Sequence, residues 1–286
     1  MSEYILQYAS DLHLELRKVN NIPIIEPVAK ENCCLALCGD IGNPFLETYK
    51  AFLDIHTKLY AHILIISGNH EYYTSRSNQH TMTDAEKLLY NISRGYGNVT
   101  YMNMDAVIIG RTKFIGCTFW SDISHIMEIA EDMMNDYKNI YVENIGMTPT
   151  KITTFDGLRI NTKVIKEGRS QLRSKHILAL HRRMKSWIQY EIEKHKNDED
   201  KKYDDIIVLT HHAPSFKMLD RSDIYSACYG TNCENLMGSD IKYWISGHTH
   251  TSKEVEINGT TCLSNCMGYP GQKFTYFDDK KHIIFK

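Results

Sequence analysis

Five short apolar runs punctuate this chain, and each ends on a residue able to bind a cation. Tyr4-Ile5-Leu6-Gln7-Tyr8-Ala9 leads into Ser10-Asp11-Leu12-His13, and the run 33–38 leads into Gly39-Asp40. His62-Ile63-Leu64-Ile65-Ile66-Ser67 leads into Gly68-Asn69-His70-Glu71. Ile206-Ile207-Val208-Leu209 leads through Thr210 into His211-His212-Ala213-Pro214, and Tyr243-Trp244-Ile245-Ser246 into Gly247-His248-Thr249-His250. Continuous apolar runs of this length, closed by turn residues, read as buried strands. Asp, Asn or His then arrives at the C-terminal end of each, where open α/β sheets gather ligand-binding residues. The pattern predicts a metal site assembled from distant segments.

The rest of the pattern fills in around these strands. Asn43-Pro44 offers a helix start, and Leu46, Tyr49, Leu53 and Tyr60 recur at roughly helical spacing. A polar and aromatic loop after Glu71 carries Tyr72, Tyr73 and Arg76, candidates to meet a substrate, and a helix is expected near 83–91. Short runs at 99–102, 106–109 and 113–117 look like edge strands or hairpins. Ile126, Ile129, Ala130, Met133 and Tyr137 mark one amphipathic helix, and Ile177, Leu180, Met184, Trp187 and Ile188 a longer one, with loop-like chain between. Asn258-Gly259 predicts a type I′ hairpin over 254–263, and 274–277 with 282–285 suggests another. There is no internal repeat or composition break. The expectation is one α/β domain, 1–286, with a helical flap inserted at about 120–203.

Composition narrows the function classes. A hydrophobic fraction of 42% with 24% charged is that of a globular protein. The net charge of −2 gives no global attraction to nucleic acid or to an anionic membrane. No run approaches a membrane span, and the start lacks a signal-peptide pattern. Eight cysteines without a CxxC pair are expected to be reduced thiols in a cytoplasmic protein. One local imbalance stands out: residues 151–186 hold ten Lys or Arg against two acids. That stretch is either a solvated face or a positive rim that steers an anionic substrate.

Six of the fourteen histidines fall inside the five strand-end motifs: His13, His70, His211, His212, His248 and His250. The order Asp-x-His, Gly-Asp, Gly-Asn-His-Glu, His-His, Gly-His-x-His resembles the calcineurin-like metallophosphoesterases, from Asp11 to His250. Thr118-Phe119-Trp120-Ser121-Asp122 and Asn265-Cys266-Met267-Gly268-Tyr269-Pro270 resemble features of a poorly characterised, mostly bacterial-type branch of that family. The branch often shows Asn-Pro-Arg-Gly-Tyr where this chain has Asn265-Cys266-Met267-Gly268-Tyr269, so a phosphate-binding arginine is absent here.

The resemblance implies a sandwich of mixed sheets flanked by helices, with metal ligands at the C-terminal ends of strands. It implies that Asp11, His13, Asp40 and His250 hold one divalent ion and that Asp40, Asn69, His211 and His248 hold a second, Asp40 bridging. Donors of this kind suit Mn²⁺, Fe²⁺/Fe³⁺ or Zn²⁺. The implied reaction is phosphoester hydrolysis, with a metal-bridging hydroxide attacking in line and His70 at the leaving group. Glu71 is placed to orient His70, and His212 to act behind the ligands or on substrate. The substrate is a phosphodiester, a nucleotide or a phosphomonoester. The alternatives are a nuclease acting on nucleic-acid ends, suggested by the basic stretch, and a non-catalytic binding module on the same fold.

Overall fold

All five apolar runs are strands, and they belong to two sheets packed face to face. The computed structural model describes residues 3–75, 79–143, 168–197 and 202–286, with the backbone of the strands at 151–156 and 159–164. The strands are β1 (Tyr4–Ala9), β2 (Cys33–Cys38), β3 (His62–Ile66), β4 (Val99–Tyr101), β5 (Asp105–Ile109), β6 (Thr112–Cys117), β7 (Tyr141–Glu143) and β8 (Lys151–Asp156). They continue with β9 (Arg159–Val164), β10 (Arg169–Gln171), β11 (Asp205–Thr210), β12 (Ile241–Ser246), β13 (Glu254–Ile257), β14 (Thr260–Ser264) and β15 (His282–Phe285). The helices are α1 (Glu47–His56), α2 (Met82–Arg94), α3 (Met127–Met133), α4 (Asp136–Asn139), α5 (Ser174–Lys196) and α6 (Ser226–Tyr229).

One sheet runs β15-β1-β2-β3-β4 and the other β13-β14-β12-β11-β6-β5. Within each, the inner ladders are parallel, and β15, β13 and β5 add antiparallel edges. The two-residue side-chain period divides each strand between two cores. Leu6, Tyr8, Cys34, Ala36, Leu64 and Ile66 meet Phe114, Ile207, Leu209 and Ile245 between the sheets. Leu35, Leu37, Ile63 and Ile65 face Tyr49, Phe52 and Leu89 of α1 and α2, while Ile206 and Val208 face Ile177, Met184 and Ile188 of α5. Strands covered on both faces have no polar side, which is why they read as unbroken apolar runs. Parallel pairing brings their C-terminal ends to one edge, and there the candidate ligands emerge.

Several local expectations are corrected. The helix after Asn43-Pro44 begins only at Glu47, because the Asn43 side chain accepts from the Phe45 amide (3.0 Å) and closes a turn first. β6 is an interior strand, paired to both β5 and β11. The first amphipathic helix breaks into α3 and α4 where Met134 turns extended. The chain between the two amphipathic helices is not loop: β7 pairs with β10 and β8 with β9, in keeping with β-branched residues such as Ile152, Thr153, Ile160 and Thr162. The Asn258-Gly259 hairpin forms, both residues at positive φ (53° and 86°). The other hairpin does not. Phe274 and Tyr276 sit at φ 63° and 55°, which no strand tolerates, and β15 pairs instead with β1.

Candidate metal centre

The strand ends bend sharply, at residues that carry side chains where glycine ordinarily stands. Asp11, His13, Asp40, His248 and His250 all have φ between 47° and 68°. Each such residue costs roughly 1–3 kcal/mol, and clusters of them mark functional sites. Asp11 and His13, two residues apart, are therefore brought together by two left-handed turns and not by extended backbone. Gly39 (φ 83°) and Gly68 allow β2 and β3 to end in contact. A Cβ on Gly39 would lie 2.4 Å from His211 Nδ1, and one on Gly68 2.1 Å from Asp40 Oδ1.

Two groups of acceptors result. In the first, His13 Nε2 and His250 Nε2 lie 3.1 Å apart, with Asp11 Oδ1 3.4 Å from His250 Nε2. In the second, His211 Nε2 lies 3.0 Å from Asn69 Oδ1, 3.1 Å from His248 Nδ1 and 3.4 Å from Asp40 Oδ1. The other edges of these groups are already engaged. His211 Nδ1 donates to the Cys38 carbonyl (2.9 Å), and His250 Nδ1 to Gln272 Oε1 (2.7 Å), an oxygen that also accepts from the Tyr269 amide. His13 Nδ1 faces Glu15 Oε1 (3.1 Å), and Asn69 Nδ2 donates to Asp136 Oδ1 (2.8 Å). With those edges engaged, the atoms that converge are imidazole nitrogens with carboxylate and amide oxygens, which only protons or a cation can hold together. Such a nest needs positive charge, and nitrogen and oxygen donors without thiolate fit a divalent transition metal. Sites of this kind usually fix each ligand imidazole through its other nitrogen, as three of the four are fixed here.

Electrostatics point the same way. Burial opposes charge on His211, yet the Asp40 carboxylate outweighs it and lifts the imidazole to about 9. Burial likewise works against ionised Asp11, but the His250 hydrogen bond and charge hold it below the usual carboxylate range. Burial and the neighbouring His211 push His248 down to about 3, so it stays a neutral donor.

His70 occupies the gap between the groups. Its amide donates to Asp40 Oδ1 (2.8 Å), its Nδ1 meets Glu15 Oε1 (2.8 Å), and its Nε2 lies 4.0 Å from Asp40 Oδ2. Burial disfavours its charged form, but Asp40 and Glu15 prevail and raise it to about 9. Glu15 thus does what Glu71 was expected to do. The Glu71 carboxylate is fully buried and accepts from the amides of Gly68 (2.6 Å), Asp40 (3.0 Å), Ile41 (2.7 Å) and Gly42 (3.3 Å), tying two loops together.

Other placements differ from expectation. Tyr72 is 0% exposed, its hydroxyl turned toward Glu86 and Thr118, so it is a core residue and not a substrate contact. Its neighbour Tyr73 is the one in the pocket, its ring stacked on His70 (4.2 Å). His212 is buried between Trp120 and His248 and does not line the pocket, so of its two expected places it takes the one behind the candidate ligands. Arg76 lies outside the described residues. Of the basic stretch, Arg169 is bonded to Gln79 and Arg173 to Glu131.

Asp136, Gln272 and Glu15 have no motif to announce them. Asp136 comes from α4, is buried, and holds both the Asn69 amide and the Tyr73 hydroxyl (2.7 Å). It thereby decides which end of Asn69 faces His211. Asp136→Ala should weaken metal binding about 10–100-fold, while Asp136→Asn, which keeps an acceptor, should retain most of it. Metal titration against a chelator distinguishes them; equal loss in both variants removes this role.

The pocket above these residues has a volume of about 530 Å³, and Asp40, Asn69, His70, His248 and His250 form its floor. A model of the family described as calcineurin-like phosphoesterase matches residues 9–252, a span containing both acceptor groups and His70. The chain belongs to the calcineurin-like phosphoesterases. It is a metal-dependent phosphoester hydrolase, and the family works through a divalent metal centre. The uncharacterized protein L509 of Acanthamoeba polyphaga mimivirus is 29% identical over 98% of both chains. The phosphopantetheinyl hydrolase of Mycobacterium tuberculosis shares the fold at a TM-score of 0.63, with 15% identity over 94% of this chain and 90% of that one. A dimetal phosphatase from Danio rerio does so at 0.53, with 9% identity over 91% and 86%. No helix among the described residues is long and apolar enough to cross a membrane.

Proposed function

We propose that this protein hydrolyses phosphoesters at a two-metal centre. Asp11, His13, Asp40 and His250 hold one ion and Asp40, Asn69, His211 and His248 the other. The observation that carries the reading is the convergence of two groups of nitrogen and oxygen donors on the floor of one pocket, with His70 between them. Manganese, iron and zinc all suit these donors. When bound, such a pair of ions lowers the pKa of a coordinated water and neutralises phosphoryl charge.

The chain's own residues supply the rest. Glu15 engages His70 Nδ1, which leaves Nε2 directed toward the pocket, where it can give a proton to the departing oxygen. Gln272, Cys38 and Asp136 hold His250, His211 and Asn69 in the orientation that presents their lone pairs. The insertion joins the site through Asp136 and through Met133, Met134 and Asn135 on the pocket wall. Eight buried, unpaired cysteines support a reducing, cytoplasmic setting.

Protein reconstituted with Mn²⁺, Fe²⁺ or Zn²⁺ should bind close to two ions per chain and turn over at least one simple phosphomonoester or diester. Metal-stripped protein should be inactive and recover on re-addition. Elemental analysis showing less than one ion per chain sinks the two-metal reading; two bound ions without turnover on either ester class sinks the hydrolytic one.

A further inference from the structure

The pocket wall away from the metal ligands has a chemistry of its own. Tyr73, Met133, Met134, Leu219, Tyr229 and Tyr269 form its apolar part, beside polar and charged neighbours. Met133 is 56% exposed and Tyr269 42%, so large apolar side chains stand open at the mouth. The aromatic rings adjoin the ligand floor: Tyr229 lies 5.2 Å from His248, Tyr269 4.3 Å from His13, and Tyr73 is stacked on His70.

Charge on the same wall is already committed. Among the described lining residues, Arg221 is the one cation outside the histidines. Its guanidinium is bonded to Asp223 (Nη2 to Oδ2 2.6 Å) and lies 5.1 Å over the Tyr229 ring. Asp220, also on the wall, is paired with Lys253 (2.5 Å), which does not line the pocket. A second phosphate or carboxylate entering here would shed water, meet two carboxylates and find no unpaired cation among these residues. A flat apolar body would cover the methionines and tyrosines at little cost.

We propose that the pocket selects phosphoesters with a single phosphate and an uncharged leaving group bearing an apolar, preferably aromatic, ring, and that it disfavours polyanions, nucleic acid included. The selection rests on the phosphoesterase reading above: the phosphate sits on the metal floor and the leaving group runs along the Tyr73–Met133–Tyr229 wall. Of the basic stretch at 151–186, no described member lines the pocket.

Three non-hydrolysable phosphonates that share a head and differ in the tail test it on the metal-loaded full chain by calorimetry. Benzylphosphonate should bind about tenfold tighter than methylphosphonate, the ring's burial supplying the difference. Phosphonobutyrate, whose tail ends in a carboxylate, should bind no tighter than methylphosphonate. In Tyr229→Ala and Met133→Ala the benzyl-to-methyl affinity ratio should fall toward one. Equal affinity for benzyl and methyl heads, or tighter binding of phosphonobutyrate than of benzylphosphonate, overturns the selection and leaves the phosphoesterase reading standing. If no phosphonate binds the metal-loaded protein, that reading fails and the selection fails with it.

Discussion

Asp40→Ala should leave the protein with less than one ion per chain under conditions where the wild type holds two, and kcat should fall at least about 10³-fold. Two observations set this expectation apart from that for any other ligand. Asp40 Oδ1 lies against His211 Nε2 in one acceptor group (3.4 Å), while its backbone carbonyl accepts from the His13 amide of the other (3.0 Å). The proposed bridging role makes one carboxylate serve both ions, so its loss should not resemble the loss of His250, which should cost one. Asp40 also accepts from the His70 amide, so the alanine variant risks a local collapse unrelated to metal. Asp40→Asn separates the two: it keeps an oxygen for that amide and gives up the charge. Metal-free Asp40→Asn should still melt cooperatively, somewhat below metal-free wild type, because the buried His211 and His70 lose the carboxylate that favours their charge. Wild type alone should gain melting temperature when metal is added, since only a ligand that binds the native state stabilises it. Elemental analysis and thermal melts on the same samples decide the matter. A variant that retains two ions removes Asp40 from the bridge.

The candidate cluster was legible in the sequence because both of its requirements leave local traces. A strand buried on two faces is a continuous apolar run, and a parallel sheet delivers its C-terminal ends to one edge, so Asp11, Asp40, Asn69, His211 and His248 could be picked out without a structure. What held those ligands in place was not legible. Asp136 acts on Asn69 only because the helix expected over 126–137 breaks at Met134 and turns the carboxylate inward. Gln272 lies in a segment whose alternating aromatics imitate a strand until positive φ at Phe274 and Tyr276 forbids one. Glu15 sits two residues past His13, a spacing that any surface turn could show. Tyr72 and Tyr73 exchange roles for a similar reason. The chain from His70 to Tyr72 is a tight 3₁₀ turn, and which of two adjacent tyrosines it buries depends on Glu86 and Thr118 far along the chain. Partners that act across long sequence separations leave no periodicity to read.

His70→Ala should keep both ions and lose about 10²–10⁴-fold in kcat, the range expected of one positioned acid. His70 belongs to neither the Asp11 nor the Asp40 group, though it clusters with His13 and Glu15, and its contact with Asp40 Oδ1 is made by its backbone amide, which the substitution preserves. The imidazole itself is held from behind by Glu15 Oε1 and against the ring of Tyr73, with Nε2 left toward the pocket and the Tyr269 hydroxyl 3.5 Å from it. A group placed this way can hand a proton to the departing oxygen or can stabilise charge on the phosphoryl group. A leaving-group series tells these apart. If His70 is the acid, the loss should be largest for alkyl esters, whose alkoxides need the proton. It should shrink for an activated aryl phosphate, whose phenolate departs unaided. A loss of equal size across the series assigns His70 to phosphoryl charge. Glu15→Gln keeps an oxygen facing the imidazole but removes the carboxylate charge that favours its protonated form, so it should reproduce the same leaving-group trend at smaller amplitude. Steady-state kinetics with metal content measured on each preparation makes the comparison, and unchanged activity in His70→Ala removes the residue from the mechanism.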